Sequence, residues 1–217
     1  MRYGVRMIVT RRTLALGLAA TPLAGAALAQ TTLSSADKAL VDRAVAYLEG
    51  LTEASGTFRQ LDARGHATSG AVFLKRPGKA RFVYDAPSGL LVVSDGGVVS
   101  VQDKRLKTFD AYPLTATPLS LFLAKSIRLD RGVAVTRVTR MADGFSVTAK
   151  DSKKQTAGSI TLSFTDAPLA LAGWTVTDAQ GHPTRIQLTA LKRSPGLDKS
   201  LFLLKDPRPK NPGRGKV

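Results

Sequence analysis

Short runs that alternate between apolar and polar residues fill the chain from about residue 57 to residue 192. They are rich in Val, Ile, Thr, Phe and Tyr, and Gly, Pro and Asp interrupt them about every ten residues, which is typical of antiparallel strands joined by tight turns. We predict eleven strands, at about 57–62, 68–75, 80–85, 89–95, 98–102, 106–112, 132–140, 145–150, 157–165, 169–178 and 184–192.

The alternation predicts that each strand has one apolar face and one polar face. In the ninth run, Ile160, Leu162 and Phe164 alternate with serine and threonine, and successive strand side chains point to opposite faces. In the last run we expect Ile186, Leu188 and Ala190 on the apolar face, opposite Arg185, Gln187 and Thr189.

Two segments have helical spacing instead. At about 34–54 the apolar residues recur every three or four positions, and Ser34 and Asp37 are placed as a capping pair. At 117–126 the sequence "TPLSLFLAKS" is apolar almost all round, with Thr117 predicted as the cap and Pro118 in the first turn. So many strands either close into a barrel or form a curved open sheet that needs a cover, and these two helices are natural covers.

The first 29 residues have the pattern of a cleaved signal peptide. Arginines at positions 2, 6, 11 and 12 precede an apolar run that ends at Ala27-Leu28-Ala29, so we predict cleavage after Ala29 and a periplasmic protein. Thr21-Pro22 interrupts the run, which is shorter than the roughly 20 apolar residues of a membrane anchor. The Arg11-Arg12 pair leaves the export route open between Sec and Tat.

The chain is strongly basic, with 32 Lys and Arg residues against 16 Asp and Glu and a formal charge of +16. Removal of the signal peptide leaves a formal charge of about +12. A charge of this sign favours an acidic partner, which is nucleic acid, anionic lipid or an acidic protein surface. Export argues against nucleic acid as a partner. The absence of cysteine excludes disulfides, thiolate catalysis and an acylated N-terminal Cys.

Residues for catalysis or metal binding are few. His66 and His182 lie in polar turn-like stretches without metal-ligand spacing, and the common nucleophile and phosphate-loop motifs are absent. We interpret Trp174 as a core or barrel-edge residue, with sugar stacking as the alternative. We therefore predict no enzyme activity, no catalytic residue, no metal and no cofactor, and we expect turn roles for the aspartates at positions 85, 95, 103 and 110.

Five segments resemble, in order, the periplasmic outer-membrane lipoprotein carrier family (LolA-type). They are "GTFRQ" (56–60), "SGAVFLKRPGKARFVYDAP" (69–87), "VVSDGGVVSVQDKRL" (92–106), "YPLTATPLSLFLAK" (112–125) and "LFLLKDPR" (201–208). The resemblance implies a mainly β fold, an incomplete antiparallel β-barrel covered by a helical lid, in a domain at 30–204. It leaves 205–217, rich in Pro, Gly and cations, as an unstructured tail.

The resemblance also implies roles for particular residues. Arg76, in the K-R-P turn, would hold the lid to the barrel, because its planar fork can bind several carbonyl oxygens. Lys75, Lys79 and Arg81 are assigned to the solvated face. The candidates for the wall of an acyl-chain cavity are Phe58, Phe73, Phe82, Tyr84, Leu119 and Phe122.

The function implied is that of a monomeric periplasmic chaperone that shuttles acylated lipoproteins from the inner to the outer membrane. The implied partners are an inner-membrane lipoprotein-releasing ABC transporter and an outer-membrane acceptor. Three alternatives stay open from the sequence: a lipid- or lipoprotein-sensing module, a carrier of another envelope lipid, and an envelope hydrolase.

Overall fold

The alternating runs of the sequence form one large antiparallel sheet. The computed structural model describes residues 33–125, 133–152 and 158–208, and these include eleven strands, as predicted. The strands are β1 (Glu53–Leu61), β2 (Ala67–Lys75), β3 (Lys79–Tyr84), β4 (Leu90–Asp95), β5 (Val98–Asp103), β6 (Thr108–Pro113), β7 (Val133–Met141), β8 (Gly144–Asp151), β9 (Ser159–Asp166), β10 (Leu169–Thr177) and β11 (Pro183–Arg193).

The order of the strands leaves the sheet open. From one edge it runs β6, β5, β4, β3, β2, β1, then β11, β10, β9, β8 and β7, so the two halves meet where β1 pairs with β11. The edge strands β6 and β7 are not neighbours in this order, which confirms the predicted open antiparallel sheet. The predicted signal peptide at 1–29 lies outside the described residues. So do parts of other predicted elements, namely residues 126, 132, 157 and 209–217.

A bulge shifts the faces in the last strand. Thr57 pairs with Ala190, but the next residue, Phe58, pairs with Leu188, so Thr189 is left over. Ile186 is buried and Leu188 half-buried, as the alternation predicts, whereas Ala190 is exposed. The prediction for Ala190 is therefore wrong, because a bulge moves one residue out of the two-residue repeat.

The first helix, α1 (Ser35–Gly50), begins as predicted and ends earlier than expected. The Ser34 hydroxyl accepts a hydrogen bond from the Asp37 amide, which caps the helix. The predicted end near residue 54 is wrong, because Glu53 already pairs with β2 and the Arg76 amide donates to the Thr52 carbonyl. Pairing with the sheet therefore prevails over helical spacing from residue 53 onward.

The second helix, α2 (Leu119–Leu123), is shorter than the predicted 117–126 and follows a 3-10 turn at Leu114–Ala116. Pro118 occupies the cap position, and the Thr117 hydroxyl donates to the Leu114 carbonyl, so the predicted Thr117 cap is wrong. The chain becomes extended at Ala124. None of the helices in the described residues is long and apolar enough to cross a membrane.

The two faces of the sheet are covered differently. The inner face carries α1, α2 and the main buried cluster, which includes Val41, Ala44 and Leu48 of α1. The outer face of β3 and β4 is covered by a second 3-10 helix at Lys199–Phe202, and Phe202 is fully buried outside the main cluster. The C-terminal part of the described chain therefore belongs to the fold.

Candidate functional site

The turn between β2 and β3 holds both inner-face helices through one side chain. Arg76 Nη1 donates to the carbonyl of Leu48 in the last turn of α1, and Nη2 donates to the Ala124 carbonyl just after α2, at 2.8 Å. Arg76 Nε is buried and has no hydrogen-bond partner among the described residues. One guanidinium thus joins two helices that are far apart in sequence.

The Arg76 guanidinium lies in a desolvated position. Its carbon atom is 6.0 Å from the centre of the Phe122 ring, within the range of a cation–π contact. Burial lowers the pKa of Arg76, and the charge of Glu49 opposes that shift. Because an arginine remains protonated even so, the two carbonyl groups bind a full positive charge.

Backbone groups of the same turn strengthen the connection to α2. The Gly78 amide donates to the Leu123 carbonyl at 2.8 Å, and the buried Ser94 hydroxyl donates to the Gly78 carbonyl at 2.6 Å. Gly78 has φ +78°, and an added Cβ would lie 2.7 Å from the Gly96 Cα. A glycine is therefore required here by both conformation and space.

A row of aromatic side chains runs across the inner face towards Arg76. Phe58 makes edge-to-face contacts with Tyr84 and Phe82, with ring centres 5.1 and 5.6 Å apart. Phe82 contacts Trp174 at 6.0 Å, and Trp174 stacks on Phe122 at 5.3 Å. The row connects strands of both halves of the sheet with α2, whose residue Phe122 lies next to Arg76.

An apolar cavity of about 260 Å³ opens beside this row, between the start of α2 and the sheet. Its wall is formed by side chains of β3, β4, β10, β11 and α2, among them Phe82, Val92, Leu119, Trp174, Val176 and Ile186. Tyr84 and Gln60 supply polar atoms at the wall, and the Tyr84 hydroxyl donates to Gln60 Oε1 at 2.6 Å. Burial raises the pKa of Tyr84 to about 12.

The predicted wall residues form three groups: residues that line the cavity, residues that are buried beside it, and Phe73, which lies elsewhere. Phe82, Tyr84 and Leu119 line the cavity. Phe58 and Phe122 are buried beside it in the main cluster, where they support the lining.

Phe73 does not lie with the other candidates. Its neighbours Val72 and Leu74 are fully buried on the inner face, so the alternation of β2 points Phe73 to the outer face. There it stands between Ser55 and Arg81 of the adjacent strands. We therefore correct the expectation that Phe73 forms part of the cavity wall.

Two cations that we assigned to the solvated face instead anchor the C-terminal segment. Lys75 Nζ donates to the Leu197 carbonyl at 2.8 Å and lies 2.6 Å from Glu53 Oε1. Arg81 Nη1 donates to the Leu201 carbonyl at 2.9 Å. The β2–β3 hairpin is thus bound to helices on the inner face and to the C-terminal segment on the outer face.

Exposed ion pairs hold the first half of α1 to the far half of the sheet. Arg43 pairs with Asp166, and its guanidinium carbon is 5.7 Å from the centre of the Phe145 ring. Arg140 of β7 pairs with Asp37 at 2.8 Å. Sequence analysis missed these contacts because they join residues about a hundred positions apart.

Most of the polar residues considered for catalysis make hydrogen bonds or ion pairs at turns. His66 and His182 are exposed, and each lies 3.2 Å from the carboxylate of an aspartate four residues earlier. Asp95 and Asp103 accept hydrogen bonds from backbone amides of their turns, as predicted. The remaining two differ: Asp85 accepts from the Ser69 hydroxyl, and Asp110 lies within strand β6.

Comparison with known proteins gives consistent results. The family model described as "Outer membrane lipoprotein carrier protein LolA" matches residues 49–205. A protein of Chromohalobacter salexigens named "Outer-membrane lipoprotein carrier protein" is 31% identical over 193 residues, covering 84% of this chain and 90% of its own. A protein of the same name from Methylobacillus flagellatus is 30% identical over 173 residues, covering 75% and 82%. A solved LolA superfamily protein from Nitrosomonas europaea covers 75% of this chain and 97% of its own, with TM-score 0.44 and 9% identity.

Proposed function

This chain belongs to the LolA family of outer membrane lipoprotein carrier proteins, and on that premise we propose that it carries acylated lipoproteins across the periplasm. Carrier proteins of this family are not enzymes. The cargo would be taken from the inner membrane and delivered to the outer membrane, with its acyl chains held on the inner face of the sheet.

The physical need for such a carrier follows from the cost of exposing acyl chains to water. At about 0.8 kcal/mol per CH₂ group, a chain of about 16 carbons costs on the order of 12 kcal/mol. A lipoprotein with several chains therefore needs an apolar container during its passage between the membranes.

The cavity beside α2 supports the proposal that the inner face of the sheet holds the acyl chains. Its volume of about 260 Å³ lies below the roughly 300–1,000 Å³ of pockets that hold drug-sized ligands. Several acyl chains need more room than that, so α1 and α2 must move away from the sheet for loading. The described arrangement, in which Arg76 binds both helices, corresponds to a closed carrier.

Arg76 is suited to control that movement. Its two hydrogen bonds, to Leu48 and Ala124, hold both helices over the sheet and must break when the helices move. Hydrogen bonds from charged donors contribute about 1.5–3 kcal/mol each, which is small beside the gain from burying acyl chains. Cargo can therefore open the carrier, and the same bonds favour closure after release.

The partners follow from the same function. An inner-membrane ABC transporter that releases lipoproteins would load the carrier and supply the energy from ATP, and an acceptor in the outer membrane would receive the cargo. Export by the predicted signal peptide, with cleavage after Ala29, would place the protein between them.

The observation that carries this proposal is the single guanidinium of Arg76 binding both helices above an apolar cavity. The test is to deplete the protein in its host and to separate inner and outer membranes. We expect outer-membrane lipoproteins to accumulate in the inner membrane, whereas outer-membrane proteins without acyl chains stay in place. Correct sorting of lipoproteins in depleted cells would overturn the proposal.

A further inference from the structure

A groove on the outer face of the sheet contains two arginines that have no side-chain partner among the described residues. It has a volume of about 450 Å³ and crosses β1, β11, β10 and β9. We call it the outer groove and define it by the residues Arg59, Ser163, Gly173, Thr175, Arg185 and Gln187; apolar residues, among them Leu61, also line it. It lies on the face of these strands opposite to the main buried cluster.

A glycine creates the floor of the outer groove. Gly173 lies opposite Gln187 on one side and Ser163 on the other, next to a bulge in β10. An added Cβ at this position would be 2.1 Å from the Ile186 carbonyl oxygen, so no side chain fits. The gap lets a ligand atom approach the sheet between the surrounding side chains.

The cations of the groove differ from Lys75 and Lys79 on the same face. Lys75 pairs with Glu53, and Lys79 stands opposite Asp95 in the neighbouring strand. In contrast, the strand neighbours of Arg59 are Ser69 and Gln187, and those of Arg185 are Leu61 and Thr175.

Neither guanidinium has a carboxylate partner within the described part of the chain. Asp85, on the far side of β2, accepts a hydrogen bond from the Ser69 hydroxyl instead. Arg59 and Arg185 are also diagonal neighbours on adjacent strands, which is near enough for two long side chains to reach one ligand.

We propose that the outer groove is a docking site for an acidic segment of a partner protein, whose carboxylates bind the guanidinium groups of Arg59 and Arg185. The planar fork of arginine matches a carboxylate with two parallel hydrogen bonds. The hydroxyl and amide groups of Ser163, Thr175 and Gln187 provide further donors at the rim. This site lies on the opposite face from the acyl-chain cavity and does not depend on the carrier function.

The chemistry of the groove favours a protein over a membrane surface. Binding at a lipid interface requires apolar side chains that enter the acyl region, and the large exposed apolar residues of the described chain lie outside the groove. Two cations near an anionic membrane contribute only about 1 kcal/mol each. A groove lined by two arginines instead suits one or two defined carboxylates.

The test is a titration of the ¹⁵N-labelled full mature protein with a hexaglutamate peptide, followed by NMR. We expect the amide signals of Ser163, Gly173, Thr175 and Gln187 to shift and the affinity to fall as salt increases. The double variant Arg59→Gln/Arg185→Gln should weaken binding at least ten-fold. Arg59→Lys/Arg185→Lys, which keeps the charge without the fork, should weaken it by an intermediate factor.

The matched control is Lys104→Gln/Arg105→Gln, which removes the same charge from two exposed residues of the β5–β6 turn. It should change the affinity less than two-fold. Equal weakening by the two glutamine pairs, no binding of hexaglutamate, or shifts confined to other surfaces would overturn the proposal. The proposal would also be overturned if binding to phosphatidylglycerol vesicles depended on Arg59 and Arg185 and binding of hexaglutamate did not. That result would assign the groove to lipid.

Discussion

Arg76 and Trp174 both contact the ring of Phe122. The Arg76 guanidinium is 6.0 Å from the Phe122 ring centre, and Phe122 stacks on Trp174 at 5.3 Å with an angle of 28° between the rings. Phe122 belongs to α2, whereas Trp174 belongs to the sheet. Any movement of α2 that breaks the Arg76 contacts therefore also changes the environment of Trp174.

The sequence contains one tryptophan, so its fluorescence reports on this movement without interference. We expect binding of a lipoprotein or of a long-chain fatty acid to shift the emission of Trp174, because the Phe122 ring moves away from the Trp174 ring. Lysozyme, or another protein of similar size without an acyl-binding site, serves as the control for scattering. Unchanged emission on saturation with cargo would contradict an opening movement at α2.

Replacement of Arg76 by leucine removes both hydrogen bonds that hold the helices. Because the empty, closed state loses this stabilisation while the loaded state does not, we expect cargo to remain bound. Transfer of a bound lipoprotein to liposomes should slow at least ten-fold, consistent with the loss of about 1.5–3 kcal/mol per bond. Arg76→Lys should have an intermediate effect and Lys79→Leu, at the start of β3, none. Normal release by Arg76→Leu would leave Arg76 as a turn residue only.

Filling the cavity should impair binding of acyl chains. Val92 lines the cavity, and the change Val92→Phe places a larger side chain in it. We expect the affinity for a fluorescent fatty acid to fall about ten-fold, while overpacking lowers the free energy of unfolding by about 1–3 kcal/mol. The control is Val83→Phe on β3, which pairs with Leu91 and points to the outer face. If both variants bind alike, the cavity is not the acyl site.

The C-terminal segment should contribute to stability through one aromatic side chain. Phe202 is 0% exposed, whereas the adjacent Leu203 is 60% exposed. We expect Phe202→Ala to lower the free energy of unfolding by about 3–5 kcal/mol and Leu203→Ala by less than about 0.5 kcal/mol, measured by denaturation in urea. Similar values for the two variants would mean that the segment is not docked in solution.

Tyr84 should make the stability sensitive to alkaline pH. Burial raises its pKa from 10.0 to about 12, so folding favours the protonated hydroxyl. That contribution is complete below pH 10 and is lost as the pH rises from 10 to 12, with a size of about 2 kcal/mol.

We expect Tyr84→Phe to lose this part of the pH dependence, as measured by urea denaturation at pH 9 to 12. Tyr112→Phe, at a tyrosine that is 50% exposed, should keep it. Identical pH profiles for wild type and Tyr84→Phe would show that Tyr84 titrates normally.

The strand count and the position of Arg76 in a turn could be predicted because both depend on local signals. Turn residues mark the strand ends, and the K-R-P turn carries its own motif. The face of Phe73 could not be predicted in this way, because β2 has apolar residues on both faces: Val72 and Leu74 inside, Ala71 and Phe73 outside. On this face the C-terminal segment covers the neighbouring strands β3 and β4, a long-range contact that no local pattern indicates.

The helix ends and the charged contacts of Lys75 and Arg81 were missed for a related reason. Helical spacing continues past Gly50, but the pairing of Glu53 with Lys75 draws the chain into the sheet. Lys75 and Arg81 have the spacing of solvated residues, and their carbonyl partners lie more than a hundred residues away. The sequence around a cation in a strand does not indicate which distant backbone carbonyl group the cation will bind.

The pairing of β1 with β11 determines when the protein can fold. The hydroxyl groups of Ser55 and Ser194, at the end of this ladder, are 139 positions apart in the sequence. During synthesis β1 can pair with β2 early, but its other edge stays unsatisfied until β11 has been made. Contacts of such long range slow folding and leave strand edges open to aggregation. The edge of β1 therefore stays open, and the sheet remains in two halves, until the last strand is available.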